Sequence, residues 1–212
     1  MAGKSFAIFA VVALSLLVGM AVGSLSRTPP PSINESMVAG TVLEGITRPV
    51  PEFSLRDHNG QTFNRAILRG KWSFIFFGYT HCPDICPLTM SVMNGVIGSL
   101  DTNVDPSDVR VYFVSVDPGR DTLARLAEYV PYFNADFVGV TGEDAELMRL
   151  ARGLNSIYSI PPKDEQVEGY LVDHSAAILL ISPDAELHAV FSAPHAPEKI
   201  AADFKTILDR ES

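Results

Sequence analysis

Trp72-Ser73-Phe74-Ile75-Phe76-Phe77 runs straight into Gly78-Tyr79-Thr80-His81-Cys82-Pro83-Asp84-Ile85-Cys86-Pro87. The first six residues are apolar except for Ser73, the pattern of a strand buried on both faces. The second part is a proline-punctuated turn opening a helix, expected from about Asp84 to Leu100. Cys82 then falls near the helix N-terminus, where the backbone dipole favours a thiolate, the form that attacks disulfides or binds metal. Cys82 and Cys86 are the only cysteines in the chain. Their i, i+4 spacing puts both sulfurs on one helix face, close enough to share a metal or to close a disulfide. A buried strand, a turn and a helix point to an α/β fold, and the two cysteines narrow the chemistry to thiol redox or soft-metal binding.

The elements on either side fit that plan. Upstream, Phe53-Ser54-Leu55-Arg56 and Gln61-Thr62-Phe63 alternate with period two around Asp57-His58-Asn59-Gly60, a hairpin signal. Downstream, Val109 to Val116 reads as the next central strand. Asp121 or Thr122 is expected to cap a helix ending at Val130, stopped by Pro131. Phe137 to Val140 reads as a short strand and Glu143 to Arg152 as a helix. Leu154 to Gly169 is expected to be a long irregular loop, and such loops in compact domains usually carry function. Ala176 to Ile181 and Glu186 to Phe191 flank Ser182-Pro183-Asp184 as a second hairpin, and Pro197 to Leu208 is a closing amphipathic helix. The order is β-hairpin, βαβα, an inserted segment, then ββα. This is an α/β, thioredoxin-like fold with an N-terminal β-hairpin and a long insertion before the last strands.

The chain has 212 residues, 47% of them hydrophobic, enough for one well-filled domain and an appendage. Its formal net charge of −9 argues against nucleic acid as a partner. After Lys4, Phe6 to Val22 is apolar or small apart from Ser15. Residues 1–25 therefore read as an N-terminal membrane anchor or signal peptide. The apolar run is longer than the roughly 7–15 residues of a signal core, which favours an uncleaved anchor. Lys4 stays inside and the rest of the chain faces the outer side. No cysteine precedes Cys82, so a lipoprotein anchor is excluded. Residues 26–44, which contain Arg27-Thr28-Pro29-Pro30-Pro31-Ser32, read as a stiff proline-rich tether, and 45–212 as the folded domain. In an oxidising compartment, a closely spaced thiol pair needs a reductant or a metal to escape disulfide formation. A purely structural disulfide would close too short a loop to add much stability.

A structural zinc site wants four ligands, and there is no second cysteine pair. Two thiolates and one imidazole suit copper: sulfur selects Cu(I), and nitrogen keeps Cu(II) acceptable. Of five histidines, His174 is the best candidate. It lies between the long loop and an apolar strand, where Asp173 or a backbone carbonyl could fix its tautomer. The competing reading is a partly exposed loop histidine. His81 flanks Cys82 but points away from a shared centre, His58 belongs to the hairpin turn, and His188 and His195 read as surface residues. Asp84 reads as a first-turn cap, with metal contact the lesser alternative. Met90 and Met93 read as core.

Phe77-Gly78-Tyr79-Thr80-His81-Cys82-Pro83-Asp84-Ile85-Cys86-Pro87, Val114-Ser115-Val116-Asp117-Pro118 with Arg120-Asp121-Thr122, and Asp173-His174-Ser175-Ala176 together resemble the Sco/SenC family. The resemblance runs from about Pro51 to the C-terminus. It implies a membrane-anchored, thioredoxin-like copper protein needed to build cytochrome c oxidase, with metal ligands at Cys82, Cys86 and His174. Asp117 would lie no closer than behind the ligands. Gly119 stands where many relatives carry a bulkier or charged residue. The implied role is a metallochaperone, not an enzyme, delivering copper to the dinuclear copper centre of an oxidase subunit. An upstream copper donor and a thiol reductant would serve it. The alternative is a thiol-disulfide oxidoreductase, with Cys82 attacking and Cys86 resolving, that reduces the acceptor subunit's cysteines. Peroxide reduction is a third reading, suggested by Thr80 before Cys82, but no arginine is near the motif in sequence. Without an Arg- and Ser-rich presequence, the expected location is a bacterial inner membrane, with the domain facing the periplasm.

Overall fold

The computed structural model describes residues 37–211 except 44, 47 and 101–104. The Phe6–Val22 stretch and most of the tether lie outside the described residues. Among the described residues no helix is long and apolar enough to cross a membrane.

Every residue of β4 (Trp72–Gly78) is buried, because the strand is enclosed on both edges and both faces. β5 (Val109–Ser115) pairs with it in parallel on one side and β9 (Ile178–Ile181) antiparallel on the other. β6 (Val138–Thr141) continues the parallel part. The hairpin of β2 (Ser54–Asp57) and β3 (Thr62–Asn64) closes that end, with β2 antiparallel to β6. Its turn uses Gly60 at φ +80°, and the Asp57 carboxylate accepts the N–H groups of Asn59 and Gln61. At the other end stand β10 (Leu187–Phe191) and β1 (Gly40–Val42). The eight-stranded order is β1-β10-β9-β4-β5-β6-β2-β3.

The alternation of β4 sends Phe74, Phe76 and Gly78 to one face. There Phe74 meets Phe204 of the C-terminal helix, ring centroids 5.1 Å apart, and Phe76 meets Phe113 of β5 at 5.5 Å. Phe113 in turn meets Tyr129 at 5.7 Å. The helices are α1 (Ile85–Gly98), α2 (Leu123–Phe133), α3 (Asp144–Gly153) and α4 (Pro197–Glu211). Each buried phenylalanine in this layer contributes about 2–3 kcal/mol of apolar burial.

Three expectations are corrected. Pro131 lies inside α2 and does not end it. The helix loses only the bond Pro131 cannot donate, and the Tyr129–Phe133 ring pair at 5.2 Å holds the last turn. The sheet also begins before Gly45, since β1 pairs with β10 through Gly40, Thr41 and Val42. Finally, the insertion is not wholly irregular. β7 (Tyr158–Ser159) and β8 (Asp173–His174) form a two-stranded sheet with Tyr158 opposite His174.

The N-terminal strand is fastened by Asp203, 2% exposed, whose carboxylate accepts the backbone N–H groups of Val38, Ala39 and Gly40 at 2.7–2.8 Å. Asp203→Ala would leave three donors without their acceptor. The expected loss is about 3 kcal/mol in urea denaturation followed through the single tryptophan, Trp72. An unchanged midpoint would contradict this role.

Candidate metal centre

The site forms where β4 ends. Gly78 closes the strand, and the turn that follows brings Cys82 round so that its N–H donates to the Tyr79 carbonyl at 3.2 Å. Cys86 sits in the first turn of α1, 1% exposed, directly over Gly78. A Cβ at position 78 would lie 2.9 Å from Cys86 Sγ and 2.6 Å from the Phe113 ring, so only glycine leaves the thiol its space. Both cysteines are free thiols, Cys82 half-buried and Cys86 buried.

The third group comes from the insertion. Pairing of β8 with β7 sets His174 beside the cysteines, with Nε2 3.3 Å from Cys86 Sγ. One ligand atom from each of Cys82, Cys86 and His174 lies within 4.8 Å of the other two. His174 Nδ1 is 3.0 Å from the Ser175 carbonyl, which can only accept, so Nδ1 carries the proton and Nε2 turns its lone pair to the thiols. Burial holds the imidazole below its ordinary pKa, against the Ser175 carbonyl and Asp173, which raise it. Burial also pushes the Cys86 thiol up, followed by the neighbouring Cys82 thiol and Asp121. A buried thiol beside a neutral imidazole disfavours a bare thiolate at Cys86 and suits a soft cation that replaces its proton. The same pair of thiols can also close a disulfide.

A buried carboxylate beneath the turn, not anticipated in this role, fastens it. Thr122, not Asp121, caps α2, accepting from the Arg125 N–H. Asp121, fully buried, instead accepts Thr80 N at 2.8 Å, Thr80 Oγ1 at 2.6 Å and Ser115 Oγ at 2.5 Å. His81 Nδ1 lies 3.5 Å from the same carboxylate, away from the thiols. Arg125 Nε reaches Thr80 Oγ1 at 3.3 Å, so the fold does bring an arginine to the motif, although sequence distance argued otherwise.

The remaining candidates are placed elsewhere. Asp84 occupies the N-cap of α1, but its exposed side chain makes no capping hydrogen bond. His58 is tied to Gly139 of β6, His188 packs edge-on against Trp72, and His195 Nε2 donates to the Ala176 carbonyl at 2.8 Å. His195 is thus half-buried and not a surface residue. Met90 and Met93 are fully buried core. Asp117, 1% exposed, binds Arg120 and the Tyr170 hydroxyl. The signal for Asp121 and Arg120 was the polar run Asp117 to Thr122 at the carboxyl end of a central strand, where α/β sites gather.

A family profile described as SCO1/SenC matches residues 44–209. The chain belongs to the SCO1/SenC family. It is 40% identical over 164 residues to the mitochondrial SCO2 homologue of Bos taurus, covering 74% of this chain and 61% of that one. It therefore spans about three fifths of that relative's length. It is 32% identical over 197 residues to the SCO2-like protein of Rickettsia felis, covering 90% and 92% of the two chains. The crystal structure of Arabidopsis thaliana ScoI with copper bound superposes with a TM-score of 0.67 at 32% identity, covering 76% of this chain and 98% of that one. The thioredoxin-like plan of this SCO1/SenC chain is thus shared with solved family structures.

Within this SCO1/SenC site, Gly78→Ala is the sharpest probe of packing. The added methyl is expected to push Cys86 off its position. It should cost about 1–3 kcal/mol in urea denaturation and weaken metal binding in parallel. Wild-type stability and metal affinity in that variant would show that the thiol does not depend on the glycine.

Proposed function

We propose that this chain is a copper metallochaperone. Cys82, Cys86 and His174 bind one copper ion, carried as cargo, and pass it to the dinuclear copper centre of a cytochrome c oxidase subunit. The observation that carries this is the convergence of two thiols and a correctly turned imidazole, with Cys86 Sγ 3.3 Å from His174 Nε2. Three soft-to-intermediate donors, with no fourth Cys, His, Asp or Glu grouped with them among the described residues, suit Cu(I) and leave room for an incoming ligand. Cys82 is the accessible thiol, so an acceptor thiolate would meet the ion from that side. The copper-bound Arabidopsis relative supports the choice of metal. Phe6–Val22 anchors the domain at a bacterial inner membrane, facing the periplasm, where an upstream donor supplies copper and a thiol reductant keeps the cysteines reduced.

A second reading rests on the contrast between the two thiols. Cys82 is accessible and Cys86 buried beside it, the arrangement of an attacking and a resolving thiol. Cys82 thiolate would attack a disulfide of the acceptor subunit and release one of its thiolates. Cys86 would then attack the Cys82 sulfur, release the second, and leave a Cys82–Cys86 disulfide. Two electrons pass to the acceptor, and the thiol reductant restores the pair.

Anaerobic titration of the reduced full chain in detergent, with Cu(I) against a competing chelator, separates the two. One tight equivalent is expected, weakened at least about 100-fold in Cys82→Ser and in His174→Ala, since losing even a ligand's outer partner costs 10–100-fold. Weak binding indifferent to His174, with disulfide reduction intact in His174→Ala, would replace metal transfer by thiol exchange.

A further inference from the structure

The insertion that carries His174 is tied to α3 through Tyr158, whose hydroxyl donates to Asp144 at 2.7 Å, and to the turn before α2 through Tyr170. The Tyr170 ring lies flat against Arg120, with the guanidinium carbon 3.5 Å from the ring centroid. Asp117 bridges the same two residues, taking Arg120 Nε on one carboxylate oxygen and the Tyr170 hydroxyl, at 2.8 Å, on the other. The same guanidinium carbon lies 5.6 Å from the Tyr79 ring centroid. Arg120 Nη2 is buried and makes no hydrogen bond, so stacking and the Asp117 bridge are what hold the guanidinium. Tyr79 completes the chain. Its ring stands edge-on to His174 at 5.8 Å. Four residues after Tyr170, and two after Val172, the chain delivers His174 to Cys86.

We infer that Tyr170, Arg120 and Asp117 form a latch that positions His174, so that releasing it converts the three-donor site into a two-thiol site. These are positioning residues: none of them is grouped with the sulfurs or the Nε2 lone pair as a ligand. The physical reason is the weakness of the alternative support. β7 and β8 pair over two residues each, and Val167 and Leu171 on the intervening segment are 72% and 60% exposed. Tyr158 and Val172 are buried, but so short a ladder around so exposed a segment does not by itself fix an imidazole against a buried thiol. The latch adds a constraint from the Asp117–Arg120 turn.

The inference rests on the copper reading, and two measurements keep them apart. The first uses the metal-free, reduced full chain in micelles and follows the imidazole resonances of His174 by NMR. In the wild type a single Nδ1–H tautomer is expected, shifted by the Tyr79 ring. In Tyr170→Ala these signals move to the averaged tautomer and shifts of a free histidine, while Tyr170→Phe, which keeps the stack, stays near wild type. The second is a double-mutant cycle in Cu(I) affinity. Tyr170→Ala should weaken binding about tenfold in the wild type, the scale of a lost outer partner, and have no effect when His174 is already alanine. Arg120→Lys keeps a charge for Asp117 but loses the flat stacking face. It is expected to shift the same signals, and it decides the matter if Tyr170→Ala does not fold. Unmoved His174 resonances, or an equal loss of affinity with and without His174, would overturn the latch. Copper affinity indifferent to His174 in the wild type would instead overturn the copper reading, leaving the resonances to judge the latch.

Discussion

A thiol with no access to water stands 3.3 Å from a neutral imidazole that lies 88 positions away along the chain. Everything else in the site serves that contact. Burying either group alone is unfavourable, because each is left without the water it would otherwise use. Together they satisfy one another, the thiol donating to Nε2 while Nδ1–H donates to the Ser175 carbonyl. The pair is therefore a stable resting arrangement and, with Cys82 alongside, a nearly assembled set of soft donors. Little reorganisation separates the metal-free site from one that can hold an ion.

Two buried carboxylates divide the task of building it. Asp121 fixes the start of the cysteine turn to the end of β5 through Thr80 and Ser115. Asp117 fixes the insertion through Arg120 and Tyr170. Both come from one short run between β5 and α2, so the turn that joins a central strand to a helix holds the cysteine segment with one residue and the histidine segment with another. Asp121 also adds negative potential near Cys86, a smaller effect than burial but of the same sign. A carboxylate near a buried thiol discourages the bare thiolate at Cys86 and favours a cation there.

Most of the fold was legible because its signals are local. The apolar Trp72–Phe77 run, the Asn59-Gly60 turn and the periodic helices each report on their own neighbourhood. The misreadings fall where a distant partner decides. Pro131 reads as a stop until the Tyr129–Phe133 pair is seen to carry the last turn. Gly40–Val42 reads as tether until Asp203 and β10 claim it. The two-residue strand at Asp173–His174 is too short to show any period at all. In the site, Cys82 and Cys86 announce themselves by spacing, whereas His174, a candidate by its place beside an apolar strand, was assigned as a ligand by the family resemblance. Asp121, Arg120 and Tyr170 were not identified in their roles. A buried carboxylate and a stacked arginine show in sequence only as a polar run after a central strand. Their meaning appears only when three separate segments converge.

X-ray absorption at the copper edge, on the full chain loaded with one equivalent of Cu(I), reads the ligand set at the metal. Two sulfurs and one nitrogen with imidazole outer scattering are expected around the copper, with loss of the nitrogen and its outer scattering in His174→Ala. A two-sulfur site without imidazole in the wild type, unaltered by that substitution, would contradict that ligand set.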